Sequence, residues 1–236
     1  MKLNHTKLNE TPSTQEYLKE LISSAESSPF TYHLVSTRYQ SDGFGRQGRS
    51  WTQLSQTICF SFSLPKRENL TISSAEISLL TLKYLKNQFQ FLGKLKWPND
   101  ILDEKNLKVA GILIDIIKES LVVGIGINIG KSEQDSNLEA SFVSQKQNLN
   151  DEDFHKIPLD IYKYIIESYP QEPIDIINEW NQSCAHLDTK IKITDESNVV
   201  TGIFKGLGEH GEALIYTDCN ELKSVFNGTL RLVEST

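Results

Sequence analysis

Two aliphatic runs, Val109 to Ile117 and Leu121 to Ile129, are separated only by Lys118-Glu119-Ser120. Neither run alternates cleanly between apolar and polar residues, so a strand built from either must be covered on both faces. The short link turns the chain back on itself, which predicts an antiparallel pair in the middle of a sheet. Whatever else the chain forms has to supply the covering layers.

The remaining pattern supplies them. Ser13-Thr14-Gln15-Glu16 has capping-box spacing ahead of Tyr17, Leu18, Leu21 and Ile22, which predicts a helix. Thr31 to Val35 reads as a strand, and Ile58, Phe60, Phe62 and Leu64 alternate with Cys59, Ser61 and Ser63 in the period of another. Ser73 to Asn87 carries a helical pattern, Pro98 interrupts the chain, and residues 131 to 153 form a polar loop. Leu159 to Ser168 and Ile174 to Cys184 read as helices broken by Pro170 and Pro173. After Leu187 come short strands with glycine turns: Ile191 to Thr194, Val199 to Phe204, Ala213 to Tyr216, Val225-Phe226 and Leu230 to Val233. The expectation is an α+β fold, a mixed β-sheet flanked by helices over residues 1–187, followed by a small closed β-barrel over 188–236.

With 24 basic against 31 acidic side chains the net charge is -7, which argues against a broad nucleic-acid surface. The start, Met1-Lys2-Leu3-Asn4-His5-Thr6-Lys7, has no apolar stretch behind it and reads as neither signal peptide nor membrane anchor, so a cytoplasmic setting is expected. Cys59, Cys184 and Cys219 are too scattered for a disulfide framework or a zinc knuckle and are expected to be reduced.

One segment runs against the acidic background. Residues 38 to 51, Arg38-Tyr39-Gln40-Ser41-Asp42-Gly43-Phe44-Gly45-Arg46-Gln47-Gly48-Arg49-Ser50-Trp51, hold three arginines against one aspartate, punctuated by glycines. Glycine lets backbone close on a ligand, and arginine holds anions in a fixed fork, so this is a candidate phosphate-handling loop. Gly43-x-Gly45-x-x-Gly48 matches the dinucleotide fingerprint in form, but a strand follows where that motif needs a helix. No Gly-Lys-Ser or Gly-Lys-Thr closes it as a phosphate-binding loop of the Walker type. A surface hairpin with incidental arginines and a short nucleic-acid segment remain as alternatives for the loop alone. Two further segments bear on that choice: Lys96-Trp97-Pro98-Asn99-Asp100, and Lys108-Val109-Ala110-Gly111-Ile112-Leu113, where small residues permit close ligand approach. Taken singly, Trp97 is more often core and Lys108 more often solvated.

Together these segments resemble the biotin protein ligases. The matching residues are Ser13-Thr14, Gln40-x-x-Gly43-x-Gly45-Arg46-x-Gly48-Arg49-x-Trp51, Lys96 to Asp100, Lys108 to Leu113 and Gly126-Ile127-Asn128. More loosely, Gly206-Leu207, Gly211, Leu214 and Gly228-x-Leu230-x-Leu232 resemble that family's SH3-like C-terminal domain. The resemblance implies a catalytic domain of class II aminoacyl-tRNA synthetase type, without the DNA-binding domain some members carry. It implies ATP-dependent activation of biotin to biotinyl-5'-AMP, with Mg²⁺ accompanying ATP. Transfer would follow to a lysine of the biotin carboxyl carrier protein of acetyl-CoA carboxylase or a related enzyme. A lipoate ligase or an octanoyl or lipoyl transferase is the nearest rival.

By resemblance, Lys108 and Arg46 are the catalytic cations. Biotin falls to Ser13, Thr14, Gln15, Gln40, Gly43, Phe44, Gly45, Arg46, Lys108 and Gly111. The adenylate falls to Arg46, Arg49, Trp51, Asn99, Asp100, Lys108, Gly126 and Asn128, with Asp100 as a possible metal contact. Three places depart from the pattern: Gln15 where Asn is usual, Phe44 where Arg is common, and Thr57 and Cys59 near where Asn and Tyr are common.

Overall fold

The computed structural model describes residues 2–24, 31–67, 72–130, 141–144, 148–170, 172–195 and 198–233. A seven-stranded sheet is built from β1 (Lys2–Thr11), β2 (Thr31–Gln40), β3 (Thr57–Pro65), β4 (Lys94–Lys96), β5 (Asp100–Leu102), β6 (Lys108–Ile117) and β7 (Ser120–Asn128). Its order is β1-β2-β3-β7-β6-β5-β4; among the described strands only β1 and β2 pair in parallel, through the helix α1 (Thr14–Ser23). The expected mixed sheet is therefore present. The aliphatic runs β6 and β7 form the expected antiparallel pair, with Ile117 opposite Ser120 at the turn.

Ser13 caps α1 by accepting from the Glu16 backbone N–H at 3.3 Å. Its Leu18 and Ile22 pack on Val35 and Val122, closing one face of the sheet. The other face is covered by α2 (Ser73–Phe89), α3 (Asp153–Ser168) and α4 (Pro173–Gln182), whose buried residues join Phe60, Phe62, Ile112 and Ile125 in the main core. No described helix is long and apolar enough to cross a membrane.

The structure adds to the sequence expectation in three places. β1 carries Lys2, Asn4, Lys7, Asn9 and Glu10 and has almost no apolar alternation; its backbone ladder to β2 makes it a strand. β2 continues five residues beyond Val35, to Gln40, and so carries the chain up to the glycine loop. α3 begins at Asp153, six residues before Leu159, and runs through Pro158, because Phe154 and Ile157 are buried on the same face as Ile161 and Ile165. That burial offsets the backbone hydrogen bond the proline cannot make. Most of the polar stretch from 131 to 153 lies outside the described residues.

The C-terminal strands β8 (Lys190–Thr194), β9 (Val199–Leu207), β10 (Ala213–Thr217), β11 (Leu222–Val225) and β12 (Thr229–Leu232) form a five-stranded antiparallel sheet ordered β11-β10-β9-β8-β12. The expected closed SH3-like barrel is not formed: among the described residues β11 and β12 are its two edges and do not pair. β11 is short, and Leu222, Lys223 and Ser224 are exposed, so closure would bury little. β12 turns back onto β8 instead, with Leu230 opposite Ile193. This sheet is fixed to the first by packing that continues the main core and by Asn181 of α4, which accepts from the Leu207 N–H at 2.9 Å.

Candidate functional site

A cavity of about 240 Å³ opens where the first turn of α1, the loop after β2, strands β3, β5, β6 and β7, and residues Gly228 to Leu230 meet. Its floor is one face of the central strands. Ser61, Gly124 and Leu113 form one cross-strand row of that face; Cys59, Gly126 and Gly111 form the next. Glycine is needed in both rows. A Cβ on Gly126 would sit 2.6 Å from the Trp51 ring, and one on Gly124 would sit 2.6 Å from Gln15 Oε1.

The loop is a tight hairpin. The Trp51 N–H donates to Gly43 O at 2.8 Å and the Gly45 N–H to Arg49 O at 2.7 Å, around a one-turn 3-10 helix, Arg46–Gly48. This geometry aims both arginines toward the C-terminal sheet. Arg46 Nη2 donates to Asn227 Oδ1, and Arg49 Nη2 donates to Thr229 Oγ1 at 2.8 Å. Burial, then the neighbouring Arg49 guanidinium, pushes the Arg46 pKa below the usual arginine value, with Asp100 opposing. Two crowded, partly desolvated cations favour an anion between them.

Two lysines, Lys96 and Lys108, also line the cavity, and Lys108 is the one held against a carboxylate there. Its Nζ is 2.6 Å from Asp100 Oδ1 and 5.4 Å from the Trp51 ring centroid. Asp100 can reach it because β5 pairs with β6, placing Asp100 opposite Gly111. Asn99 holds the same strand in place: its Nδ2 donates to Ile112 O at 2.6 Å, and its backbone carbonyl accepts from the Ile112 N–H at 3.0 Å.

The opposite end of the cavity is polar and uncharged. Gln40 Oε1 accepts from the Thr14 N–H at 2.9 Å and from Thr14 Oγ1 at 3.2 Å, and Thr14 Oγ1 is 2.9 Å from Ser61 Oγ. Ser13, spent on its cap, lines the same end. The site thus separates a neutral hydrogen-bonding end from a cationic end, an arrangement suited to a ligand that is polar but uncharged at one terminus and anionic at the other.

Of the residues singled out in the sequence, Ser13, Thr14, Gln15, Gln40, Phe44, Gly45, Arg46, Arg49, Trp51, Asn99, Asp100, Lys108, Gly111 and Gly126 line this cavity. Gly43 and Asn128 do not. Gly43 lies beneath the loop, where a Cβ would meet Gln40 Nε2 at 2.3 Å. Asn128 is buried and occupied: its Oδ1 accepts from Thr57 Oγ1 at 2.8 Å and its Nδ2 donates to Ser141 O at 3.2 Å. It anchors residues 141–144, whose Val143 N–H donates to Asn128 O at 2.9 Å.

Sequence reasoning missed Ser61, Gly124 and Thr229, which also line the cavity. A signal existed for the first two. The polar face of β3 lies in the middle of a sheet, and Gly124 stands two residues from Gly126 on the same face. Thr229 had none, because its contact with Arg49 spans 180 positions.

The Biotin/lipoate A/B protein ligase family matches this chain over residues 8–132. Among solved structures, the biotin protein ligase from Aquifex aeolicus in complex with biotin and ATP is 28% identical, with a TM-score of 0.80 over 98% of this chain and 99% of that one. The biotin acetyl coenzyme A carboxylase synthetase of Helicobacter pylori with bound biotinylated ATP shares the fold at 21% identity and a TM-score of 0.71, over 95% of this chain and 100% of that one. The biotin protein ligase of Leishmania major in complex with biotinyl-5-AMP shares it at 18% and 0.62, over 94% of this chain and 98% of that one. The match over 8–132 takes in more than half of the 236 residues and runs from β1 past the end of β7, so the chain belongs to the Biotin/lipoate A/B protein ligase family.

Proposed function

We propose that this protein is a biotin protein ligase, activating biotin with ATP and passing it to a lysine of a carrier protein. The observation that carries this reading is the convergence of Lys108, Arg46 and Arg49 on a cavity whose far end offers only neutral polar groups. Biotin has this polarity, with a cyclic urea at one end and a carboxylate at the other. The relative from Aquifex aeolicus binds both biotin and ATP at 28% identity.

In the first step a biotin carboxylate oxygen attacks the α-phosphorus of ATP. The bond from that phosphorus to the β-phosphate oxygen breaks, giving biotinyl-5'-AMP and pyrophosphate. Two anions must meet, so the rate depends on charge neutralisation and positioning. Lys108 bridges the carboxylate and the α-phosphate, leaving Asp100 as it does so; Arg46 and Arg49 leave Asn227 and Thr229 for the phosphates. Trp51, lying on Gly126, walls the adenylate side. In the second step the neutral amine of the carrier lysine attacks the acyl carbon, the carbon–oxygen bond to AMP breaks, and the amine proton is lost.

Among the described residues no group of three His, Cys, Asp or Glu side chains is gathered to cage a metal. Asp100, the single carboxylate within the cavity lining, would help to hold a Mg²⁺ accompanying ATP, and the ion would supply charge withdrawal from the phosphates. The carrier domain of a biotin-dependent carboxylase is the proposed partner, in the cytoplasm. The C-terminal sheet, from about residue 188, is the proposed second domain, akin to the SH3-like unit of the biotin ligases though open at its edges.

ATP–pyrophosphate exchange measured separately with biotin, lipoate and octanoate tests the reading. Exchange with biotin, followed by labelling of a carrier domain, is the expected result. Exchange with lipoate alone overturns it in favour of a lipoate ligase, and acyl transfer from octanoyl carrier without ATP overturns it in favour of a transferase.

A further inference from the structure

Lys96, Asp100, Gly111, Gly126 and Cys59 stand opposite one another on neighbouring strands and form a single cross-strand row along the cavity floor. Lys108 reaches into this row from the start of β6: a Cβ on Gly111 would sit 2.9 Å from its Nζ. Asp100 therefore lies between two lysines, with Lys108 on its Gly111 side and Lys96 on the other. Side chains directly opposite in an antiparallel pair have Cβ atoms about 5 Å apart, within the reach of a lysine. Yet Asp100 is paired with Lys108, at 2.6 Å, and Lys96 makes no ion pair among the described residues.

The two partners of that pair are unequally sheltered. The Asp100 side chain is 18% exposed against 42% for Lys108. Stripping a sheltered carboxylate of its counter-ion is unfavourable, because neither water nor another charge replaces what it loses. The first step of the proposed reaction does this when Lys108 leaves Asp100 for the biotin carboxylate and the α-phosphate. Arg46, whose charge also bears on Asp100, is drawn to the phosphates in the same step. Of the cations lining the cavity, Arg46, Arg49, Lys96 and Lys108, that leaves Lys96, which is the cross-strand neighbour of Asp100.

Taking adenylation of biotin as the reaction proposed for this cavity, we infer that Lys96 takes over Asp100 as Lys108 moves to the reacting anions, and is thus a positioning residue for the first step. No bond is made or broken in the exchange: one ammonium replaces another on the same carboxylate, and Lys108 arrives at the substrates with its charge unspent. A carboxylate has two oxygens, so Lys96 on one leaves the other toward the phosphates and their metal. The same pairing is open to Asp100 in a protein that lacks Lys108, and what Asp100→Asn recovers there is the charge that Lys96 leaves unbalanced. A lysine that held a phosphate directly would instead act on ATP whether or not Asp100 was charged, and a double-mutant cycle separates the two roles.

Single-turnover formation of biotinyl-5'-AMP and steady-state kinetics on the full chain test this. Lys96→Met keeps the apolar stem at the cavity surface and removes the charge, so the variant should fold. It is expected to slow adenylation about 10-fold, with the KM values for biotin and ATP within about twofold of wild type. Lys96→Arg should stay within about threefold of the wild-type rate, since a guanidinium holds the same carboxylate. In an Asp100→Asn background the charge that needs Lys96 is gone, and Lys96→Met should slow the step by less than about twofold further. A wild-type rate from Lys96→Met, a loss of the same size with Asp100→Asn as without it, or a KM for ATP raised in both backgrounds overturns the takeover while leaving a biotin ligase intact. Wild-type protein that forms no biotinyl-5'-AMP overturns both.

Discussion

Removing the Lys108 ammonium is the most informative perturbation, because one atom carries the claim that two anions are brought together. Lys108 Nζ lies 2.6 Å from Asp100, so the strand already delivers it to a carboxylate within the cavity before any substrate arrives. At an effective dielectric near 20, two unit charges about 4 Å apart interact by about 4 kcal/mol. The Lys108 side chain is 42% exposed, so solvent screens part of this. About 3 to 4 kcal/mol of transition-state stabilisation is then at stake, which at about 1.4 kcal/mol per decade is a loss of roughly 10² to 10³ in the adenylation rate for Lys108→Ala. The variant should fold, since the side chain is at the cavity surface and β6 is held by its backbone ladder. It also leaves the Asp100 carboxylate facing the phosphates without its counter-ion, so Lys108→Ala with Asp100→Asn should recover part of the loss. The assay is single-turnover formation of trapped biotinyl-5'-AMP from ATP and biotin. Wild-type yield and rate from Lys108→Ala would refute the reasoning, and a double variant slower than the single one would refute the role given to Asp100.

Arg46→Ala should form the intermediate but retain it poorly, since its guanidinium is one of the two proposed to hold the phosphates; escape of adenylate measured by rapid filtration no faster than wild type rejects this. Acid should destabilise the fold through His186, whose burial beside Trp180 and Phe204 pushes its pKa down to about 4. The unfolded chain takes up that proton near 6.5 and the folded chain does not, so stability falls as pH drops from 6.5 to about 4, by about 3 kcal/mol in all. His186→Phe should flatten this limb of a urea-melt pH series, and an unchanged slope rejects the assignment. Asn128→Ala removes the amide that holds Ser141 O but keeps the backbone carbonyl that accepts from the Val143 N–H, so residues 141–144 should loosen without detaching and hydrogen exchange at Val143 should quicken; exchange as slow as in the wild type would show the anchor to be elsewhere.

Residues whose role follows from local period were legible in the sequence, and residues whose role follows from a distant partner were not. β6 and β7 could be read because burial on both faces writes a continuous apolar run, and α1 because Ser13 and Glu16 sit at capping distance. β1 could not be, since an edge strand needs only its backbone and its side chains were left polar. The same division runs through the cavity. The glycine loop announced its arginines, but their present partners, Asn227 and Thr229, lie about 180 residues on and carry no motif.

Asn128 shows the division from the other side, because a familiar-looking motif, Gly126-Ile127-Asn128, holds residues with two different tasks. β7 alternates, so Gly126 faces the cavity floor, and Asn128, although two residues on and on the same side of the strand, lies past the end of that floor. Its amide is consumed by Thr57 and Ser141. Any influence it has on the nucleotide must therefore pass through the position of residues 141–144, and its removal should alter the KM for ATP only to the extent that it loosens them. If Asn128→Ala raised that KM while exchange at Val143 stayed slow, the amide would have to reach the ligand directly, and the buried pairing with Thr57 could not describe the working enzyme.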